Sequence, residues 1–422
     1  MSMSKSASKL GFQATWSMAV GGMIGGGIFS TLGVVIHIAG AWAWLSFLTA
    51  GLIALATGYS YVRLAEHYGE GGGAFTYLRK INAHHFAGSL SWILIVGYVL
   101  TNSVYAFTFG QYLAYVVDMG PIFARASALA IMAFFIALNL RGVAEAGWVE
   151  VFLVWFKLIV LLGLAAWGIA KWQPEMLSRG IEDKGLAAAL FGAASVFMAY
   201  EGFQLLAYDY DDIKDPSSTL PKAVLSAITI VIVVYVLVAI GTAMLIGADQ
   251  VVKHEEVALA IAGKEALGTT GLVIVTIAAA FSTGSAINST LFATARLALT
   301  VAKAGELPKA LTHRDSAGIP DRAVLILGIA GALLAAIGTL EMLVEAASLA
   351  FLLTFSVVCA LAFHQKTGLR LFTGFGALSA AAAAVALIVR LVREDPLPLV
   401  VLGIFILFAV FGRPLLLRHK KD

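Results

Sequence analysis

The sequence predicts an all-α polytopic membrane protein of twelve transmembrane helices, and three observations predict it. First, the 422 residues are 60 % hydrophobic and only 13 % charged, with a mean hydropathy of +0.91, where a soluble domain carries about a quarter charged residues. Second, twelve apolar stretches follow one another, each near the roughly 20 residues that a helix needs to cross a bilayer. Third, two of these stretches are interrupted near mid-depth by glycines. The composition excludes fibrous, collagen-like and disordered chains. The apolar runs are continuous and do not alternate, which argues against a β-barrel. A net charge of +3 without a basic stripe gives no footprint for nucleic acid. The lone Cys359 forms no internal disulfide, and no Cys/His spacing suits zinc, so neither metal nor cofactor is expected.

The stretches lie at 12–38, 41–65, 88–117, 122–140, 148–170, 186–212, 223–247, 268–300, 323–340, 342–363, 372–392 and 397–416. The tail from Met1 to Lys9 is short and basic. The apolar run behind it is too long for a signal-peptide core and lacks a small-residue cleavage site, so it reads as a retained first membrane helix. Only Leu340 and Glu341 part the ninth and tenth stretches. No soluble domain is present. Segments 171–185 and 248–268 have room for short surface helices. With twelve spans both termini share one face, and that face holds more than twice as many of the 28 Lys and Arg residues as the other. This excess places both termini in the cytoplasm of a multi-pass cell-membrane protein.

The first stretch contains Gly21-Gly22-Met23-Ile24-Gly25-Gly26-Gly27-Ile28-Phe29. Each such glycine costs a helix about 1 kcal/mol relative to alanine. In return the run frees backbone groups and admits a ligand close to the chain. Free backbone is tolerated at membrane depth only inside protein or beside a cavity. The sixth stretch contains Phe197-Met198-Ala199-Tyr200-Glu201-Gly202-Phe203, a glycine and a carboxylate at mid-depth. Close helix packing is the alternative use of small residues. The density of the first run, matched by a second interruption five stretches later, favours a binding site between inverted repeats. On this reading residues 1–170 hold the first repeat and 171–365 the second. Residues 366–422 hold two peripheral helices and the tail. The positive amino ends of the half-helices suit a carboxylate, and their carbonyl ends suit an ammonium group. A small amino acid fits both ends. The expected substrate-binding residues are Ile24, Gly25, Gly26, Gly27, Met198, Ala199, Tyr200, Glu201 and Gly202, with Asn102 from the third stretch.

The same residues resemble motifs of the amino acid–polyamine–organocation transporter family. Gly25-Gly26-Gly27-Ile28-Phe29 resembles its first-helix G-[SAG]-G-I-F, and Ala199-Tyr200-Glu201-Gly202-Phe203 its sixth-helix A-[FY]-[DE]-G-F. The loop Gly69-Glu70-Gly71-Gly72-Gly73-Ala74-Phe75-Thr76-Tyr77 is similar to P-x-x-G-G-x-Y-x-Y, without the proline and with Phe75 at the first tyrosine. Asp211-Asp212-Ile213-Lys214-Asp215-Pro216 with Leu220-Pro221-Lys222-Ala223, and Ala295-Arg296 with Ala304-Gly305-Glu306-Leu307-Pro308-Lys309, resemble two further family runs in the right order. The resemblance implies the leucine-transporter-like fold, alternating access, and amino-acid or amine substrates. Met198 stands where some antiporters of that family carry a gating tryptophan, which argues against an arginine or agmatine exchanger.

Lys157 lies mid-span in Trp155-Phe156-Lys157-Leu158-Ile159. A central lysine costs about 2.5 to 3.5 kcal/mol on insertion scales and is functional by default. The nearest interface is roughly 13 Å away at 1.5 Å per residue, too far for snorkelling. The resemblance implies that this ammonium occupies what is a sodium site in sodium-coupled relatives, either as a proton-coupling group or as a tethered cation. Glu201 is a candidate for the proton or the substrate amine; its structural use is to cap freed amides or to bond neighbouring helices. Ser282 and Thr283 of the eighth stretch are expected to face Lys157, or else to bond within their own helix. Tyr98, Asn102 and Tyr105 share a helical face. Phe29, Tyr200 and Phe203 are gate candidates, or packing. Glu341 and Glu345 are expected at the outer end of the tenth stretch and receive no role.

The expected function is a secondary active transporter of a small amino acid across the plasma membrane, proton-coupled and sodium-independent, with an amino-acid or polyamine exchanger as the alternative. A channel lacks support, since no charged ring or carbonyl filter is present. No nucleophile–base set or phosphate-binding loop supports an enzyme or an ATP-driven pump. The partners expected are the substrate and membrane lipid, and a partner subunit stays open.

Overall fold

The computed structural model describes residues 9–142 and 147–407. The readings made for the amino-terminal tail, and for the twelfth stretch and tail beyond 407, lie outside these residues. The described chain is all-helical, with one isolated parallel bridge between Leu10 and Ile213. Among the described residues, eight helical segments are long and apolar enough, by length and composition, to cross a membrane.

The first stretch forms two helices, α1 (Phe12–Met23) and α2 (Gly27–Ala39). The second forms α3 (Ala43–Tyr68), which Gly69 ends in the left-handed conformation with its amide on the carbonyl of Ala65. A short α4 (Gly73–Lys80) precedes α5 (His84–Val116). Pro121 opens α6 (Pro121–Leu140), where its missing N–H costs nothing. The Lys157 stretch is α7 (Gly147–Lys171).

The sixth stretch does not stay helical. It begins as α8 (Ala188–Ser195), passes through a 3-10 turn at Phe197–Tyr200, breaks at Glu201 and Gly202, and resumes as a 3-10 turn at Phe203–Ala207. Then follow α9 (Pro216–Ile246), the short α10 (Ala248–Lys253) and the long α11 (Ala258–Lys303), which is kinked at Leu267–Gly268, where the eighth stretch begins. The surface segments thus contain α10 and 3-10 turns at Pro174–Leu177 and Glu255–Val257.

The boundary between the ninth and tenth stretches differs from the expected one. α12 (Asp321–Ile337) ends before Gly338, and Thr339 caps α13 (Leu340–His364) by accepting a hydrogen bond from the amide of Met342 at 3.4 Å. A hydroxyl cap outweighs the acidic Glu341 as a boundary, since Glu341 sits favourably in the first turn. The chain continues with α14 (Arg370–Arg393) and α15 (Leu397–Leu407).

Burial sorts the helices. The apolar window of Phe12–Tyr68 is 94 % buried, against 28 % for α6 and 33 % for α14. α2, buried at every residue but His37, lies at the centre. α14 packs on α13 and α3, and α15 on α13. The outward face of α14 carries Leu371, Leu378 and Val392 and that of α15 Val400 and Ile404, as α7 presents Trp148, Phe152 and Ile159. Such faces suit lipid, which is as apolar as they are.

Candidate functional site

The two interruptions meet. Gly202 has a φ of +127°, and a Cβ placed there would stand 2.5 Å from the carbonyl carbon of Gly22. A Cβ on Gly22 would stand 3.0 Å from Cα of Gly202. Only two glycines let these backbones approach so closely while the second keeps a positive φ. Ile24 to Gly27 and Met198 to Gly202 are all buried.

The carbonyl end of α1 is met by side chains from three other helices. Lys157 on α7 donates to the carbonyl of Gly21 at 3.3 Å. Tyr235 on α9 donates to that of Met23 at 2.6 Å. Ser282 on α11 donates to that of Ile24. A helix end leaves its last carbonyls without amide partners and carries partial negative charge. An ammonium and two hydroxyls answer both conditions. The first amides of α2, from Gly27 on, are the complementary positive end.

The second interruption is tied to the first. The Tyr235 hydroxyl lies 2.9 Å from the carbonyl of Ala199, so one oxygen joins both breaks. Tyr105 packs its ring where a Cβ on Gly26 would be, and its hydroxyl donates to Oε2 of Glu201 at 3.3 Å. Gln204 donates to Oε1 of Glu201 at 2.9 Å and to the hydroxyl of Tyr98 at 3.2 Å, and accepts from the amide of Gly202 at 2.9 Å. Glu201 is thus 1 % exposed yet hydrogen-bonded on both oxygens, as a buried carboxyl group must be.

This arrangement has the makings of a site for a small zwitterion: two buried helix breaks, opposite helix poles and a held carboxyl group. A model of the amino acid permease family matches residues 10–414. The chain belongs to that family. Over 304 residues it is 33 % identical to an uncharacterized protein of Methanocaldococcus jannaschii, spanning 71 % of this chain and 70 % of that one. It is 31 % identical over 308 residues to the inner membrane transport protein YbaT of Escherichia coli, with 71 % and 70 % covered. The serine/threonine exchanger SteT of Bacillus subtilis is 24 % identical over 314 residues, with 72 % and 71 % covered. The chain is a multi-pass membrane transporter of amino acids and not an enzyme.

The remaining candidates fall in different places. Thr283 donates to the carbonyl of Ala279, one turn back on its own helix. Tyr200 donates to the carbonyl of Phe47 at 2.7 Å and lies 5.1 Å from the Tyr235 ring. Phe203 packs against Tyr61 and Phe355. Phe29 meets Tyr112 edge-on. Asn102 lies on α5 between Tyr98 and Tyr105, with its Cβ near Gly331 of α12 and its buried Oδ1 without a hydrogen-bond partner among the described residues.

Four side chains that sequence reasoning missed complete the surroundings. Tyr235 and Gln204 are described above. Glu150 on α7 presses Oε1 against Gly21, and its Oε2 accepts from Ser285 at 2.7 Å. Arg390 is 8 % exposed on α14, although it stands near a helix end, where a cation ordinarily meets water. Glu341 and Glu345, expected at an outer end without a role, pair with it.

Proposed function

We propose that this permease is a secondary active transporter that moves a small amino acid by alternating access, coupled to protons and independent of sodium. Twelve spans, with helices one to five and six to ten as inverted repeats, place the two breaks at the centre of such a carrier. Both termini then face the cytoplasm. The substrate carboxylate sits on the amino end of α2, and its ammonium group on the carbonyls freed around Ala199 and Glu201. Ile24 to Gly27, Met198 to Gly202 and Asn102 surround it. Phe29, Tyr200 and Phe203 close over it. Lys157 and Glu201 are the coupling residues, with Ser282 and Thr283 lining the path beside α1.

The observation that carries this reading is the contact of Lys157 with the carbonyl of Gly21, beside the hydroxyl of Ser282 on Ile24. Carbonyls at a helix end with a neighbouring hydroxyl are ligands for a hard cation. A tethered ammonium at that place removes the need for sodium. The test is uptake of labelled amino acids into proteoliposomes under inside-alkaline, sodium and counter-substrate gradients in turn. Uptake driven by the pH gradient without sodium is expected. A strict need for sodium would overturn the reading. The relation to a relative named as a serine/threonine exchanger favours a second reading, obligatory exchange. Uptake that requires internal substrate and ignores the pH gradient would select it.

A further inference from the structure

The end of α8 is held by side chains from two other helices, α13 and α14. Arg390 sits near the end of α14, outside the two proposed repeats. Its guanidinium contacts the carboxylates of Glu341 at 3.3 Å, Glu394 at 2.7 Å and Glu345, which is fully buried. Its fourth partner is neutral: Nη1 donates to Oγ of Ser195 at 2.8 Å. Ser195 is the last residue of α8.

A second grip lies on the same residue. The hydroxyl of Ser348 donates to the carbonyl of Ser195 at 2.7 Å and accepts from the amide of Met198 at 3.0 Å. Ser348 stands three residues after Glu345 on α13, so both project from one face of that helix. One face of α13 therefore supplies the carboxylate that holds Arg390 and the hydroxyl that links the end of α8 to the turn at Met198. Ser195 is thus fixed through its side chain by α14 and through its backbone by α13, immediately before the turn that carries Met198, Ala199 and Tyr200.

We propose that Arg390 is a positioning residue for the substrate site: acting through Ser195, it fixes the half-helix end from which the second break departs. The proposal rests on the reading of that break as the substrate site. A pair serving only stability would be replaceable, since two apolar residues often substitute for a buried ion pair without loss. A positioning pair would not be, because the hydrogen bond to Ser195 goes with it.

The test compares wild-type protein with Arg390→Met/Glu345→Met, which removes both buried charges together, and with Ser195→Ala, which leaves the ion pair intact. Uptake kinetics in proteoliposomes and hydrogen exchange of the Met198–Gly202 amides in substrate-free protein are both read. A melting point near wild type with KM raised about tenfold is expected for the double variant, the scale of one lost charge-assisted hydrogen bond. Ser195→Ala should raise KM in the same direction with kcat little changed. Exchange at Met198–Gly202 should quicken in both variants. Wild-type KM together with wild-type exchange in Ser195→Ala would overturn the proposal. If the double variant fails to fold, Ser195→Ala decides alone. If the wild-type protein moves no amino acid, the transport reading fails, and amide exchange at the break still decides the role of Arg390.

Discussion

Among the described residues two cations are buried, Lys157 and Arg390, and they are held differently. Lys157, 1 % exposed, reaches a peptide carbonyl at the end of a broken helix. Arg390, 8 % exposed, is ringed by three carboxylates and a serine. A carbonyl is a ligand that any small cation can use, which is the ground for proposing that Lys157 stands where an ion would. A guanidinium in a fork of carboxylates is fixed in orientation and charge. The difference separates a group suited to coupling from a group suited to holding.

That contrast can be broken by substitution. The largest effect is expected for Arg390→Met alone. It strands the buried carboxylate of Glu345 and should cost about 3–5 kcal/mol of stability, read as a lowered melting temperature in detergent, much of which the added Glu345→Met restores. Lys157→Ala should act on transport rather than on folding, with uptake falling roughly 30-fold or more, about 2 kcal/mol. Full transport with an unchanged pH profile would remove Lys157 from the coupling machinery. Tyr235→Phe sharpens the comparison at the break, because it deletes the one hydroxyl shared by Met23 and Ala199. A loss of about 1–3 kcal/mol in apparent substrate affinity is expected for carbonyls left unsatisfied.

The smallest effect lies at the surface, where the Arg179 guanidinium beside Asp249 holds its carboxyl below the usual carboxylate range. A lowered carboxylate pKa contributes stability above the ordinary value of about 3.9, which is lost as pH falls through the lower folded value. Both groups are partly exposed, so Asp249→Asn should cost less than about 1 kcal/mol near neutral pH, and the difference from wild type should vanish in acid.

The helices and the two interruptions were legible because hydropathy and glycine are local signals. The run Gly21–Gly27 announces its break, and Glu201-Gly202 announces the second. Lys157 was legible because no ordinary packing explains a lysine at mid-depth. Tyr235 was not, for it stands in Val231-Ile232-Val233-Val234-Tyr235-Val236, where an aromatic reads as packing. Its role comes from two carbonyls, one of them 212 residues away. Arg390 was hidden by its position near a helix end, where a cation ordinarily meets water. Its burial is decided by Glu345 and Glu341 on the neighbouring α13. The pairing of Gly22 with Gly202 is likewise a tertiary fact, which spacing along the chain cannot supply.

The most direct measurement is binding of the transported amino acid to purified protein, with sodium present or replaced by choline, in wild type and in Lys157→Ala. Wild-type binding is expected to be the same in both media, because the ammonium already stands where an ion would, and Lys157→Ala should bind more weakly, with sodium restoring part of the loss. Wild-type binding that disappears in choline would contradict the assignment of Lys157 as the resident cation of the site.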